Sequence, residues 1–238
     1  MKVGNIFFIL GITNSGKSTI HNKLLRDKRF MNKYNLRNVI LTTTRKVRKG
    51  EVDGTDYIFR SNYQYEYALN NNELAASSSF KVSNNAITNN DVVYYGIKSD
   101  YFEDYPYENY IIGNGNIDLY TDLRKNINKI DMDGNLKYYR LIPIMLYSDP
   151  YTILKRAVER NISLESCKSC NIGSEDFYNM HIQNMEICRR YMKDSELYFN
   201  IDTLVNTYNI PYECCINTSG KLKNTVKEVK KIFEFYVK

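Results

Sequence analysis

Asn5-Ile6-Phe7-Phe8-Ile9-Leu10-Gly11-Ile12-Thr13-Asn14-Ser15-Gly16-Lys17-Ser18-Thr19-Ile20 decides the fold of this 238-residue chain. Ile6 to Leu10 is an unbroken apolar run of strand length, which predicts a strand buried on both faces. Gly11 to Ser18 fits G-x-x-x-x-G-K-[ST], and Ser18 to Leu25 carries the spacing of an amphipathic helix. A strand, a glycine-rich turn and a helix start in that order make an anion cradle. The glycines let backbone N–H groups converge, and the helix adds the positive end of its dipole. The stretch therefore predicts an ATP phosphate site built from Gly11, Asn14, Ser15, Gly16, Lys17, Ser18 and Thr19. Lys17 would reach the β- and γ-phosphates, and the Ser18 hydroxyl would ligate Mg²⁺. A plain glycine-rich turn has no need of the Lys17-Ser18 pair.

Composition bounds what surrounds this loop. Hydrophobic residues at 43% supply a packed core, and 238 residues suit one large domain with inserted lids. The net charge of +6 suits a protein that handles phosphates and is too small a bias to imply nucleic-acid binding. There is no Trp but 22 Tyr, with Asn and Lys throughout, which reads as compositional bias before chemistry. No segment has the apolar length of a membrane span. Five cysteines, an odd number, predict reduced thiols and a cytoplasmic setting.

Strand-like and helix-like runs alternate along the chain, which argues an α/β fold with a mostly parallel sheet. Expected strands are Asn38 to Leu41, Asn109 to Ile112, Tyr139 to Leu146 and Tyr212 to Ile216. A hairpin is expected to pair Phe80-Lys81-Val82 with Val92 to Tyr95 around a polar tip. Expected helices are Asn62 to Asn71, Asp118 to Ile130, Tyr151 to Arg160, Phe177 to Tyr191 and Leu222 to Val237.

The second loop narrows the reading. Thr42-Thr43-Thr44-Arg45-Lys46-Val47-Arg48-Lys49-Gly50-Glu51-Val52-Asp53-Gly54-Thr55-Asp56-Tyr57-Ile58-Phe59 resembles the acceptor-binding segment of guanylate kinases, and Tyr94-Tyr95-Gly96 adds to the match. The resemblance extends weakly to the C-terminus. It implies a P-loop NTPase three-layer sandwich with an acceptor-binding subdomain and a lid. One domain would span 1–238, with a core of 1–40, 105–155 and 196–238, an acceptor subdomain at 41–104 and a lid at 160–180. Inserts would fall at Ser83 to Asn90 and Glu196 to Tyr208.

The residues make chemical sense beside the resemblance. Arg45 and Arg48 are three apart, and each offers a planar donor fork to one phosphate. Tyr57 and Tyr95 can add hydroxyl donors. By resemblance these four hold the acceptor monophosphate, Arg160 is the first lid arginine, and Asn217 lies in the segment that meets ATP. The second lid arginine aligns near Met180. The implied reaction is ATP-dependent phosphorylation of a nucleoside monophosphate, GMP or dGMP first, by a monomer or homodimer with small-molecule partners.

The guanine-reading positions depart from the family. Leu41 stands where the family has Ser, Ala76 where it has Glu, and Ile97 follows Tyr95-Gly96 where it has Ser or Thr. The family's D-x-D falls on Asn116-Ile117-Asp118 with one inserted residue, or on Gly115 and Ile117 without it. Asp118 reads equally as an acceptor ligand or as the cap of the helix it begins. A related kinase of a non-guanine acceptor, such as ribose 1,5-bisphosphate, would explain these three replacements. A non-catalytic guanylate-kinase-like binding module is the reading from a different class, and the intact Gly16-Lys17-Ser18 opposes it.

Other signals carry less. Asn128-Lys129-Ile130-Asp131 matches N-K-x-D but follows a polar helix. Cys167-Lys168-Ser169-Cys170 is a lone C-x-x-C, open to zinc, redox or chance. Cys214-Cys215 reads as packing, His21 as structural, and the lysines from Lys221 to Lys231 as a solvated helix face.

Overall fold

The structure, a computed structural model, describes residues 3–48, 50–83, 90–105, 107–128, 139–161, 201–208 and 210–237. Within these, residues 81–83, 90–91, 154, 157–158, 160–161 and 201–204 are described by backbone alone. Five strands form a wholly parallel sheet: β1 (Gly4–Gly11), β2 (Leu36–Val39), β7 (Asn109–Ile112), β8 (Tyr139–Tyr147) and β9 (Cys215–Asn217), in the order β2-β7-β1-β8-β9. β1 is central and buried at every residue.

Alternation along β1 sorts the core into two layers. Ile6, Phe8 and Leu10 point to one side, where they meet Ile117, Leu119, Tyr120 and Leu123. Those residues belong to α5 (Ile117–Asn126). Phe7 and Ile9 point to the other, against α1 (Lys17–Arg26) and the C-terminal helix α8 (Leu222–Tyr236). On α8, Thr225, Val229, Ile232 and Phe233 recur at helical spacing and are the buried face. Phe233 stacks on Phe7 at 3.9 Å between centroids, and burying such a ring stabilises by about 2–3 kcal/mol. Helices on both faces of a parallel sheet give the expected three-layer sandwich.

A second, mixed sheet stands beside the first. Its order is β4-β3-β6-β5, built from β3 (Thr42–Thr43), β4 (Ile58–Phe59), β5 (Leu74–Ser83) and β6 (Asn90–Lys98). The threonine run stitches β3 to β6: Thr43 Oγ1 donates to Tyr94 O, and Thr44 Oγ1 accepts from Tyr94 N. α3 (Asn62–Asn70) starts with a capping box between Ser61 and Gln64. The remaining described helices are α2 (Lys28–Lys33), α4 (Asp100–Asp104), α6 (Pro150–Asn161) and α7 (Ile201–Tyr208).

Several expectations shift. The second strand lies two residues earlier, at Leu36–Val39. The hairpin is far longer, running back to Leu74 and on to Lys98, because Ser77 to Ser79 pair with Gly96 to Tyr94 despite their weak strand propensity. The last strand opens as a 3₁₀ turn, Tyr212–Cys214. α5 ends at Asn126, and Asn116 caps it by accepting from Leu119 N at 2.7 Å, so Asp118 is not the cap. Lys230 is no solvated residue: it bonds Asp27 at 2.6 Å and lies over the Phe30 ring. Asn128 accepts from Tyr139 N, a structural bond. Cys214 is buried as expected. The helix expected at Phe177 to Tyr191, the Cys167/Cys170 pair, the position near Met180 and residues 162–180 of the lid lie outside the described residues.

Candidate active site

The turn after β1 is shaped by close approaches. Gly11 has φ +150°, and a Cβ there would stand 2.3 Å from Leu146 O on β8. Gly16 has φ +93° and begins α1, and Asn14 joins it in the left-handed region at φ 62°. Lys17 folds back over the loop, donating from Nζ to Gly11 O at 2.7 Å and Ile12 O at 2.9 Å. Its ammonium is thereby held at the mouth of the turn, where an anion would meet it. Ser18 Oγ donates to Asn114 Oδ1 at 2.6 Å.

Two elements buttress this turn from behind. Thr218, after β9, donates through Oγ1 to Ser15 O at 2.8 Å. Arg156 on α6 donates through Nη1 to Asn14 O and Thr218 Oγ1, and through Nη2 to Thr218 O. The sequence reading missed Arg156. Its signal was the i, i+4 spacing to Arg160, which puts both on one helix face. Arg160 ends the same helix with its side chain outside the description. Asn217 turns inward on its own loop, accepting from Ser219 N at 2.8 Å, and Thr218 and Gly220 line the cleft instead.

His21 fastens α1 to the end of β7. It is buried, its Nε2 pairs with Asn38 Oδ1 at 2.9 Å, and Gly113 packs so closely that a Cβ would meet Nδ1 at 2.2 Å. Burial pushes its pKa down to about 4, only partly opposed by the Asn38 bond, so the ring is neutral at pH 7. This agrees with a structural role.

Across the cleft, the loop between β3 and β4 folds on its own acids. Glu51 accepts from Arg48 N, Asp53 from Phe59 N and Asp56 from Val52 N, each at 2.8 Å. Arg45 lies over the Tyr57 ring at 5.0 Å, reaches Tyr95 OH from Nε, and pairs with Glu51 through both terminal nitrogens. Tyr57 packs edge-on to Tyr95, and Phe80 stacks on Tyr95 at 5.3 Å. Burial pushes the Tyr57 hydroxyl up to about 12, so it stays a proton donor.

One cleft of about 1410 Å³ joins the two halves. Gly11, Asn14, Ser15, Gly16, Lys17, Ser18, Thr19, Arg45, Arg48, Tyr57, Tyr95 and Asp118 all line it. Leu41, Ala76 and Ile97 are 2%, 1% and 0% exposed and share one apolar cluster with α5. Two residues along β5 from Ala76, Ser78 Oγ accepts from Asn116 Nδ2 at 3.2 Å, so the polar groups beside that cluster are paired with each other.

The family model described as guanylate kinase matches residues 4–93, the span that holds both the Gly11–Ser18 turn and the loop between β3 and β4. The guanylate kinase of Mycoplasma mycoides is 38% identical over 80 residues, which is 34% of this chain and 26% of that protein. The guanylate kinase of Bacillus cereus is 35% identical over 102 residues, 42% of each chain. The match thus spans between a quarter and two-fifths of these relatives' own length. A crystal structure of guanylate kinase from Anaplasma phagocytophilum aligns with all of this chain and 88% of its own, at a TM-score of 0.54 and 15% identity, which is a likeness of fold. No described helix is long and apolar enough to cross a membrane. Over residues 4–93, this chain is similar to the guanylate kinase family, and the likeness beyond that span is one of fold.

Proposed function

We propose that the chain transfers the γ-phosphoryl group of ATP to a nucleoside monophosphate, with GMP or dGMP as the acceptor. The observation that supports this reading is one cleft lined both by the Gly11–Ser18 turn and by Arg45, Arg48, Tyr57 and Tyr95. A hydrolase or a switch needs only the first of them.

The donor triphosphate would lie in the turn from Gly11 to Ser18, with Lys17 against its terminal phosphates. Arg45, Arg48, Tyr57 and Tyr95 would hold the acceptor phosphate, and Asp118 would face the acceptor from the start of α5. An oxygen of the acceptor phosphate attacks the γ-phosphorus, the bond to the β–γ bridging oxygen breaks, and ADP leaves. The attacking oxygen is already anionic near pH 7, so no general base is required. Catalysis is then positioning and charge neutralisation. Arg156, whose guanidinium already spans Asn14 O and Thr218, would steady the donor loop, and by resemblance Arg160, at the end of α6, would be a lid arginine.

The donor set suits Mg²⁺. Ser18 Oγ and Asn114 Oδ1 are two hard oxygens in contact at 2.6 Å at the mouth of the turn, with Asp118 on the same cleft. When bound there, Mg²⁺ would neutralise charge on the β- and γ-phosphates. The oxygens of Ser18 and Asn114 would hold it, with water completing its shell.

The test is ADP release from ATP and Mg²⁺ with GMP, dGMP, AMP, the pyrimidine monophosphates and ribose phosphates, with Lys17→Ala as the control. Turnover with GMP or dGMP that Lys17→Ala abolishes is the expected result. ATP binding without turnover on any acceptor would sink the proposal.

A further inference from the structure

We infer that Glu51 is the positioning residue of the acceptor-phosphate group, acting by fixing which edge of Arg45 faces a phosphate. The inference rests on the reading of Arg45 and Arg48 as ligands of that phosphate.

Arg45 has five N–H donors in a rigid plane. Glu51 Oε1 takes one from Nη2 at 2.8 Å, and Glu51 Oε2 takes one from Nη1 at 2.9 Å. Lys46 O takes the other Nη1 hydrogen at 2.7 Å, and Tyr95 OH receives Nε at 3.3 Å. Four donors therefore have acceptors among the described residues, and the outer Nη2 hydrogen remains. A phosphate reaching Arg45 meets that single N–H, not the two-pronged fork that the spacing of Arg45 and Arg48 suggests.

The same carboxylate acts a second time. Glu51 Oε2 also accepts from Arg48 N at 2.8 Å, which closes the turn that carries Arg48. Gly50, at φ +85°, gives the chain the reversal that brings residue 51 back to residue 45. The pair is well enclosed, with side chains 12% and 18% exposed, so water does little to loosen it. Burial alone would raise the Glu51 pKa, but the bonds from Arg45 and Arg48 N outweigh it and hold the carboxyl below its ordinary range. One ionised side chain thus fixes the Arg45 guanidinium and closes the backbone turn at Arg48.

The experiment compares wild type with Glu51→Gln in two assays: steady-state kinetics with GMP, and equilibrium binding of GMP and inorganic phosphate by calorimetry. The amide keeps the shape but donates where the carboxylate accepts. The expected result is a rise of about 30-fold in the KM and Kd for GMP, with kcat changed less than about threefold and ATP affinity unchanged. In an Arg45→Lys background, which has no fork to fix, Glu51→Gln should change the GMP Kd less than about threefold. A KM and Kd that stay at wild-type values, or that fall, overturn the inference while leaving the kinase reading intact. GMP binding that depends on Glu51 without turnover removes the kinase reading and keeps the inference. A wild-type chain that binds neither GMP nor phosphate overturns it outright. Thermal melting of each variant separates a lost fold, which lowers ATP affinity too, from the selective loss expected.

Discussion

On the proposed function the cleft has a donor wall and an acceptor wall, and the two are built by different means. The donor wall is backbone: a turn whose path is set by Gly11 against Leu146 O and by Gly16 in a left-handed conformation, anchored to the central strand of a five-stranded sheet. The acceptor wall is side chain: Arg45, Tyr57, Phe80 and Tyr95, in and beside a small mixed sheet, hold one another by ring packing, and Arg45 is held by a partly buried ion pair with Glu51. Backbone geometry tolerates change at neighbouring side chains, whereas a side-chain lattice passes each substitution to its neighbours. The donor wall should therefore lose chemistry sharply at one residue and little elsewhere. The acceptor wall should lose affinity in a graded, coupled way.

The largest expected effect is on the donor wall. Lys17→Ala removes the ammonium that donates to Gly11 O and Ile12 O at the turn. It should lower kcat about a thousandfold or more while the melting temperature stays near wild type, since its partners are carbonyls at the cleft edge. Turnover within tenfold of wild type would mean that the turn does not serve the transfer.

Next in size is the acid sensitivity of the donor wall's support. His21 has a folded pKa near 4 against about 6.5 unfolded, so the unfolded chain binds the extra proton first. Stability is then full above pH 6.5 and falls by about 3 kcal/mol as the pH drops to 4. His21→Gln should remove most of that slope in urea unfolding curves taken at pH 7 and pH 4. Equal slopes in the two proteins would show that His21 titrates normally and that its packing under Gly113 is loose.

On the acceptor wall, Arg45→Met should raise the GMP KM about 100-fold and leave ATP affinity within about twofold. Part of that loss is Glu51, left partly buried without its ion-pair partner. Arg45→Met should therefore also lower the melting temperature, which Lys17→Ala does not. That contrast is the sharpest test of a side-chain wall against a backbone wall.

How much was legible follows the same division. Gly11 to Ser18 could be read because the motif specifies backbone conformation, and β1 and α1 came with it, while the three-layer sandwich came from the family resemblance. Arg45 and Arg48 could be singled out as cleft residues, but not how Glu51 holds Arg45, because a six-residue loop contact has no period to betray it. The hairpin was read too short, since Ala75 to Ser79 carry little strand propensity and are held by pairing with β6 and by Asp122, which accepts from Ser77 N. Asp118 was the cap that the sequence suggested. Only the chain direction at residue 116, extended at φ −107° and ψ 170°, makes Asn116 the cap. Arg156 was hidden because its partners, Asn14 and Thr218, lie 142 and 62 residues away.

The smallest effect concerns the join between the donor turn and α6. Asp149 caps that helix, accepting from Thr152 N at 2.8 Å and Thr152 Oγ1 at 2.7 Å, and Ser219 Oγ bonds Asp149 N across to the loop after β9. Bonds from Ser219 and Thr152 pull its carboxyl down to about 2, so the cap is ionised at every pH where the fold is used and fails only as pH falls through 2. Asp149→Ala should lower the melting temperature by about 3 °C. Because α6 carries Arg156 to Asn14 O, the loosened helix start should also weaken ATP binding about twofold, with the GMP KM unmoved. A change in the GMP KM instead would mean that α6 serves the acceptor wall, and that the two walls are less separate than their construction implies.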